Sequence, residues 1–141
     1  MQTSTWLRTA AVVTALLALG HTLGHPWTPV HTLPAEGVVA AMQAVHFTVE
    51  GASRSYFDFY QGFGWTLSAL IAMLAVVEWR LASAARDGRL DRLLVGVLAA
   101  GFALNALASA LFIAILPAAF SAGVALALAA ALLCGRRAAA G

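Results

Sequence analysis

The chain has 141 residues, of which 62% are hydrophobic and 10% are charged. Soluble domains average about 45–50% apolar and about 25% charged residues, so this composition excludes an ordinary water-soluble protein and indicates one that lies in a membrane. The net charge is +2, and the basic residues are eight arginines at predicted helix ends with no lysine, which excludes the basic stripe of a nucleic-acid-binding protein.

Four segments are apolar and long enough to cross a bilayer, whose hydrocarbon core of about 30 Å requires about 20 helical residues. They cover residues 6–24, 57–79, 93–116 and 117–134, and a loop over residues 25–56 separates the first two. The sequence therefore predicts an all-α integral membrane protein, a four-helix bundle in which residues 1–141 form a single domain. A cleaved signal peptide, the alternative for the first span, is disfavoured because no A-x-A cleavage site follows it.

The arginines predict the orientation of these spans. Four of them lie between the second and third spans, and two follow the fourth, whereas the loop over residues 25–56 contributes only Arg54. Because cytoplasmic loops carry an excess of positive charge, we expect both termini in the cytoplasm and this loop on the outer side of the membrane.

The end of the first span carries a pair of histidines. His21 and His25 are four residues apart, so they share one face of a helix and could chelate a metal ion. A histidine in an aliphatic span indicates a functional role, although a simple polar cap at the membrane surface explains the pair equally well.

An amphipathic helix from Ala35 to Glu50 is predicted inside the outer loop, because apolar residues recur there every three or four positions. This helix places His46 and Glu50 on one turn, and Gly51 ends it. It would lie in the outer interface or close the outer end of the bundle.

Arg54 and Asp58 are four residues apart at the start of the second span, which predicts an ion pair between them. Two interpretations of Asp58 stand side by side: it binds a ligand, or it stabilises the N-terminus of the helix, where Ser53 or Ser55 is the N-cap. We further expect His21 and Asp58 to lie in contact, since both are near the outer ends of the first two spans.

Further polar residues lie in the second and third spans and in the connection between them. Asn105 in the third span is predicted either to bind a neighbouring helix or to line the outer site from below, and Tyr60 lies one turn after Tyr56 at the start of the second span. Three acidic residues are predicted to be solvated charges on the cytoplasmic side: Glu78, Asp87 and Asp91.

A metal centre is one function that this pattern allows. His21, His25 and His46 together with Glu50, or with Asp58 in its place, offer ligands suited to zinc or copper. Haem is disfavoured, because the last three spans contain no histidine that could supply a second axial ligand.

Acid–base catalysis on a lipid is a second function, with His46, Glu50 and Asp58 as candidate catalytic residues. The stretch VHFTVEG resembles the His-x-x-x-Glu stretch of membrane sterol isomerases of the emopamil-binding type, which are also small helical bundles. The resemblance is confined to this stretch and implies isomerase-like chemistry on an apolar substrate.

Binding without catalysis is a third function, and we favour it over catalysis. The partner would be a lipid-like small molecule or another protein at the outer face, or the chain would serve as a structural membrane subunit in contact with the bilayer. The expected ligand-binding residues are His21, His25, Arg54, Asp58, Tyr60 and Asn105. Faces of small residues on the last two spans would suit a homo-oligomer.

A wider resemblance rests on two motifs, GHTLGHPWTP at residues 20–29 and SRSYFDFYQGFG at residues 53–64. Together with the four spans they resemble an uncharacterised family of small bacterial four-helix inner-membrane proteins. The resemblance implies a multi-pass protein of the bacterial inner membrane in which these two segments share a role at the outer face. It implies no particular activity.

Overall fold

The computed structural model describes residues 3–24 and 32–139, apart from the side chains of Leu33 and of residues 136–139. The described chain is predominantly helical and contains one small hairpin of two strands. In chain order the elements are α1 (Thr3–Leu23), α2 (Leu33–Ala44), β1 (His46–Val49), β2 (Ala52–Ser55), α3 (Tyr56–Arg86), α4 (Arg92–Phe112) and α5 (Ile115–Ala139).

Four of the helices, α1, α3, α4 and α5, are long and apolar enough to cross a membrane by length and composition. The predicted fold class is therefore confirmed, and the spans differ from the predicted ones mainly at their ends. The largest difference is in α3, which continues to Arg86 instead of ending near Trp79.

Internal contacts divide the chain into two units. We call Met1–Ala18 with Ile71–Gly141 the bundle unit, and Leu19–Leu70 the hairpin unit. Both α1 and α3 contribute to each of them. The single domain expected over residues 1–141 stays a prediction.

The core of the bundle unit draws side chains from all four long helices. Leu7 of α1, Val95 of α4 and Leu128 of α5 are fully buried, and Leu81 of α3 packs in the same cluster. Because lipid tails are as apolar as this core, close packing and dispersion, more than the hydrophobic effect, hold such helices together in a bilayer.

The last two helices form a tight antiparallel hairpin, since α4 ends at Phe112 and α5 begins at Ile115. The amide of Asn105 donates a hydrogen bond of 2.8 Å to the Ser121 hydroxyl across this pair. Arg92 donates to the carbonyl of Gly135 near the open end of the same pair. Asn105 therefore binds a neighbouring helix, as one of its two interpretations predicted.

Helix α3 is too long for the hydrocarbon core alone. It has 31 residues and measures about 46 Å, against a hydrocarbon core of about 30 Å. Burying its whole length would require a tilt of about 50°, beyond the range of about 0–40° that membrane helices adopt. We therefore expect part of α3 to extend outside the hydrocarbon region.

The helix predicted from Ala35 to Glu50 is wrong in its last third. Helix α2 ends at Ala44, and the chain then forms two antiparallel strands in which His46 pairs with Ser55 and Val49 with Ala52. Glu50 and Gly51 connect them with φ angles of 50° and 83°, as in the two-residue turn that suits a β-hairpin. The β-branched and aromatic residues of this stretch favour strand over helix.

Candidate functional site

His21 lies in the last turn of α1 and contacts α3 within the hairpin unit. Its Nδ1 atom is 3.0 Å from the Ser68 hydroxyl, which is itself buried, and the direction of this hydrogen bond depends on the tautomer of the ring. The imidazole is half-buried. This histidine therefore connects two helices through at least one of its ring nitrogens.

The predicted contact between His21 and Asp58 is not formed. Ser68, the partner of His21, lies ten residues after Asp58 on the same helix, and ten residues of α-helix span about 15 Å. A single side-chain contact cannot cover that distance. The prediction that one site joins these two residues is wrong.

Asp58 and Ser55 form a reciprocal cap at the start of α3. The backbone N–H of Ser55 donates to Asp58 Oδ2 at 2.8 Å, and the backbone N–H of Asp58 donates to Ser55 Oγ at 3.1 Å. This is a capping box in which Ser55 is the N-cap and Asp58 the third helical residue. The structural interpretation of Asp58 is confirmed, and the cap joins β2 directly to α3.

His46 and Glu50 lie at opposite ends of β1 and its turn instead of on one helical turn. The two residues are four positions apart in extended chain, which corresponds to about 13 Å, and His46 Nδ1 lies 3.2 Å from the Ala44 carbonyl oxygen. Both side chains are exposed. The prediction that they act together, as metal ligands or as an acid–base pair, is wrong because the backbone is extended there.

Arg54 is exposed on β2 and makes no ion pair with Asp58 in the described part of the chain. Its guanidinium donates to the Ser53 carbonyl at 3.3 Å. The predicted pair requires helical spacing, and Arg54 precedes the helix. Its cross-strand neighbour is Phe47, so the two residues share one face of the hairpin.

Four aromatic side chains form a continuous layer that begins at Phe47. The Phe47 ring lies 4.9 Å from Tyr56 and 5.1 Å from Phe59, and Phe59 lies 6.2 Å from Phe63, all measured between ring centroids. Tyr56 is 55% exposed and Phe63 71% exposed. We call Phe47, Tyr56, Phe59 and Phe63 the aromatic surface. Residues 56, 59 and 63 are three and four positions apart, a spacing that places them on one face of α3 and that indicates this surface in the sequence.

The remaining predicted site residues are not among the four rings of this surface, or they lie outside the described chain. Tyr60 is exposed, with its ring 6.3 Å from that of Phe57, and Asn105 belongs to the bundle unit. His25 lies outside the described residues. Among the residues that are described, no group of three His, Cys, Asp or Glu side chains could hold a metal ion. Zinc or copper therefore stays a prediction that depends on His25.

Glu78 is the residue whose environment differs most from expectation. It lies in the bundle unit with 0% exposure, so its prediction as a solvated charge is wrong. The Thr14 hydroxyl of α1 is close to its carboxyl, yet among the described residues neither carboxyl oxygen nor the hydroxyl makes a hydrogen bond of normal geometry. Asp87 and Asp91, in contrast, are exposed as predicted, in an ion pair with Arg89 and in an N-cap of α4.

The burial of Glu78 follows from the helical period of α3. Ile71, Ala75 and Ala82 are buried and share its face at spacings of three, four and seven residues. The sequence contained this signal, but the neighbouring Trp79 and Arg80 suggested that the membrane span ended there.

Comparison of the chain with protein-family models, with curated proteins and with solved structures finds no match.

Proposed function

We propose that this chain is a bacterial inner-membrane binding protein whose hairpin unit takes an anionic amphiphile, such as a lipid or another molecule with an alkyl body. The aromatic surface would bind the apolar body, and Arg54 would bind the anionic group. The observation that carries the proposal is the exposure of this aromatic layer beside an arginine on the same face of the hairpin.

The aromatic surface supports the apolar half of the proposal. Aromatic side chains supply large, rigid contact area, and an exposed apolar patch marks an interaction site more often than a single exposed residue does. Phe47 is partly buried at the centre of the layer, and its contacts with Tyr56 and Phe59 hold the three rings in place. A ligand would therefore meet a preformed surface.

Arg54 supports the anionic half. Its guanidinium offers five donors in a planar fork that matches a phosphate or carboxylate. The carboxylates nearest in sequence are Glu50 and Asp58, each four residues away. Asp58 is engaged in the cap of α3, and neither carboxylate forms an ion pair with Arg54 among the described residues. The capping box thus serves binding indirectly, because it fixes the strand that carries Arg54 to the helix that carries most of the aromatic rings.

The charge distribution supports an outer location for this unit. Arg80 and Arg86 lie in the last turns of α3, whereas the hairpin lies at its first turn. By the positive-inside rule the arginine-rich end is cytoplasmic, which directs the hairpin to the outer side. Because α3 is longer than one hydrocarbon core, its first turns, which carry most of the aromatic surface, can lie at the membrane–water interface.

Binding is favoured over catalysis by the geometry of the acidic residues. An acid–base mechanism would need a donor and an acceptor near one substrate atom. Glu50 is about 13 Å along the chain from His46. Asp58 is within electrostatic reach of His46, but its carboxylate accepts the Ser55 N–H in the cap of α3.

The test is a titration of the protein in phosphatidylcholine nanodiscs with decyl phosphate, followed by calorimetry against empty nanodiscs. We expect Arg54→Gln to weaken binding about tenfold, which equals about 1.4 kcal/mol, because a charge-assisted hydrogen bond is lost. Phe63→Ser should also weaken it, and decanol should bind both forms alike.

Arg86→Gln is the matched control, since Arg86 is an exposed arginine at the other end of α3. It should bind decyl phosphate as the unmodified protein does. Equal affinity of Arg54→Gln and the unmodified protein, or equal weakening by Arg86→Gln, would contradict the proposal.

A further inference from the structure

The bundle unit carries a groove between α1 and α3 that the proposed function does not use. Its volume is about 350 Å³. Alanines form much of its lining, and Val12 and Val76, which are 50% and 63% exposed, lie at its sides. The alanines are Ala11, Ala15 and Ala18 of α1 and Ala72 and Ala75 of α3. Small side chains on both helices create this space.

The groove covers part of one leaflet of a bilayer. Its lining on α1 runs from Ala11 to Ala18, a rise of seven residues that measures about 10 Å. Half of a hydrocarbon core of about 30 Å is about 15 Å. An acyl chain that enters beside Trp79 would thus lie along the groove for about two thirds of the depth of that leaflet.

A cation lies at one end of the groove. The Arg8 guanidinium is 5.6 Å from the centre of the Trp79 ring, and Trp79 is part of the groove lining. Both side chains are exposed, so the guanidinium keeps donors available beyond its contact with the ring. Arginine and tryptophan side chains are typical of the level of lipid head groups.

We propose that this groove binds an anionic phospholipid of the leaflet on the Arg8 side, with one acyl chain along the alanines and the phosphate on Arg8. This site lies in the other unit from the hairpin, so it is independent of the proposed function. The cation at the end of an apolar groove matches a molecule that has a negative head group and an apolar chain.

A second copy of the chain is the competing occupant, because small residues also allow helices to pack closely. Two copies related by an axis along the membrane normal would have their Arg8 side chains at the same depth. Groove-to-groove packing would then bring like charges together at the level of Trp79, with no acidic residue among the groove residues to offset them. The charge therefore favours a lipid.

The experiment is native mass spectrometry of the protein released from nanodiscs that contain phosphatidylglycerol and phosphatidylcholine in equal amounts. We expect the unmodified protein to retain one phosphatidylglycerol. Arg8→Gln should reduce this retention at least fivefold by removing the charge, and Ala15→Leu should do the same by filling the groove. Arg86→Gln, which changes an exposed arginine away from the groove, should retain the lipid.

Val76→Phe narrows the groove from an exposed position, so it tests the site even where Ala15→Leu does not fold. Loss of phosphatidylglycerol from Arg8→Gln and from either groove variant supports the proposal. Unchanged retention in Arg8→Gln and Val76→Phe overturns it. A dimer without bound phosphatidylglycerol that dissociates in Val76→Phe also overturns it, because the second copy would then be the occupant.

Discussion

Replacement of Glu78 by leucine is expected to stabilise the protein. The carboxyl is fully buried and makes no hydrogen bond of normal geometry within the part of the chain that the structure describes, and burial of an unpaired polar group costs about 1–3 kcal/mol in proteins. Leucine removes this cost and fills a similar volume. The free energy of unfolding in detergent micelles, followed by circular dichroism, should therefore rise by about 1–3 kcal/mol.

The Glu78→Ala variant separates the stability gained by removing the buried carboxyl from the stability lost when a cavity is left. Alanine also removes the carboxyl but leaves a cavity, which costs about 24 cal/mol per Å³, so this variant should be less stable than Glu78→Leu. A drop in stability for Glu78→Leu would show that the carboxyl makes interactions that hold the bundle unit together. If the leucine variant is more stable, the glutamate persists at a cost in stability, which is typical of residues kept for function.

Disruption of the cap between Ser55 and Asp58 has the second largest expected effect. Loss of an N-cap costs about 0.5–2 kcal/mol, and the two hydrogen bonds of this capping box join the same two residues. Ser55→Ala and Asp58→Ala should each speed amide hydrogen exchange in the first turn of α3 by about tenfold, since 1.4 kcal/mol corresponds to a factor of ten.

The double variant shows whether the pair acts as a unit. Ser55→Ala with Asp58→Ala should cost little more than either change alone, because residues of one hydrogen-bonded pair are not additive. Ser53→Ala, on the exposed part of β2, is the control and should leave exchange unchanged. Additive effects would mean that Asp58 stabilises the helix by charge alone.

The four spans could be predicted because their length and apolar composition leave no alternative in a bilayer. Their ends could not, since α3 continues through Trp79 and Arg80 to Arg86. The hairpin was missed because apolar residues continue past Ala44 at intervals that also fit a helix, and because Glu50–Gly51 is a weaker turn signal than Asn-Gly or Asp-Gly.

The candidate site was predicted only in part. Asp58 as a stabilising residue at the N-terminus of α3 followed from a local rule, the attraction between an acidic side chain and the first turn of a helix. The partner of His21 could not be found in this way, because Ser68 is 47 residues away in the chain and resembles any small polar residue in an apolar helix. Glu78 was predicted to be a solvated charge because of its neighbours in sequence, whereas its burial depends on the packing of the bundle unit.

Photo-crosslinking tests whether the hairpin unit binds an anionic amphiphile on its aromatic surface. The protein in phosphatidylcholine nanodiscs would be irradiated with a decyl phosphate that carries a diazirine in its alkyl chain, and the labelled positions read by mass spectrometry. We predict labels on Phe47, Tyr56, Phe59 or Phe63 that decrease in Arg54→Gln and not in Arg86→Gln. The proposed function would be contradicted if the labels were distributed as they are with a decanol that carries the same diazirine, and if Arg54→Gln left the labels unchanged.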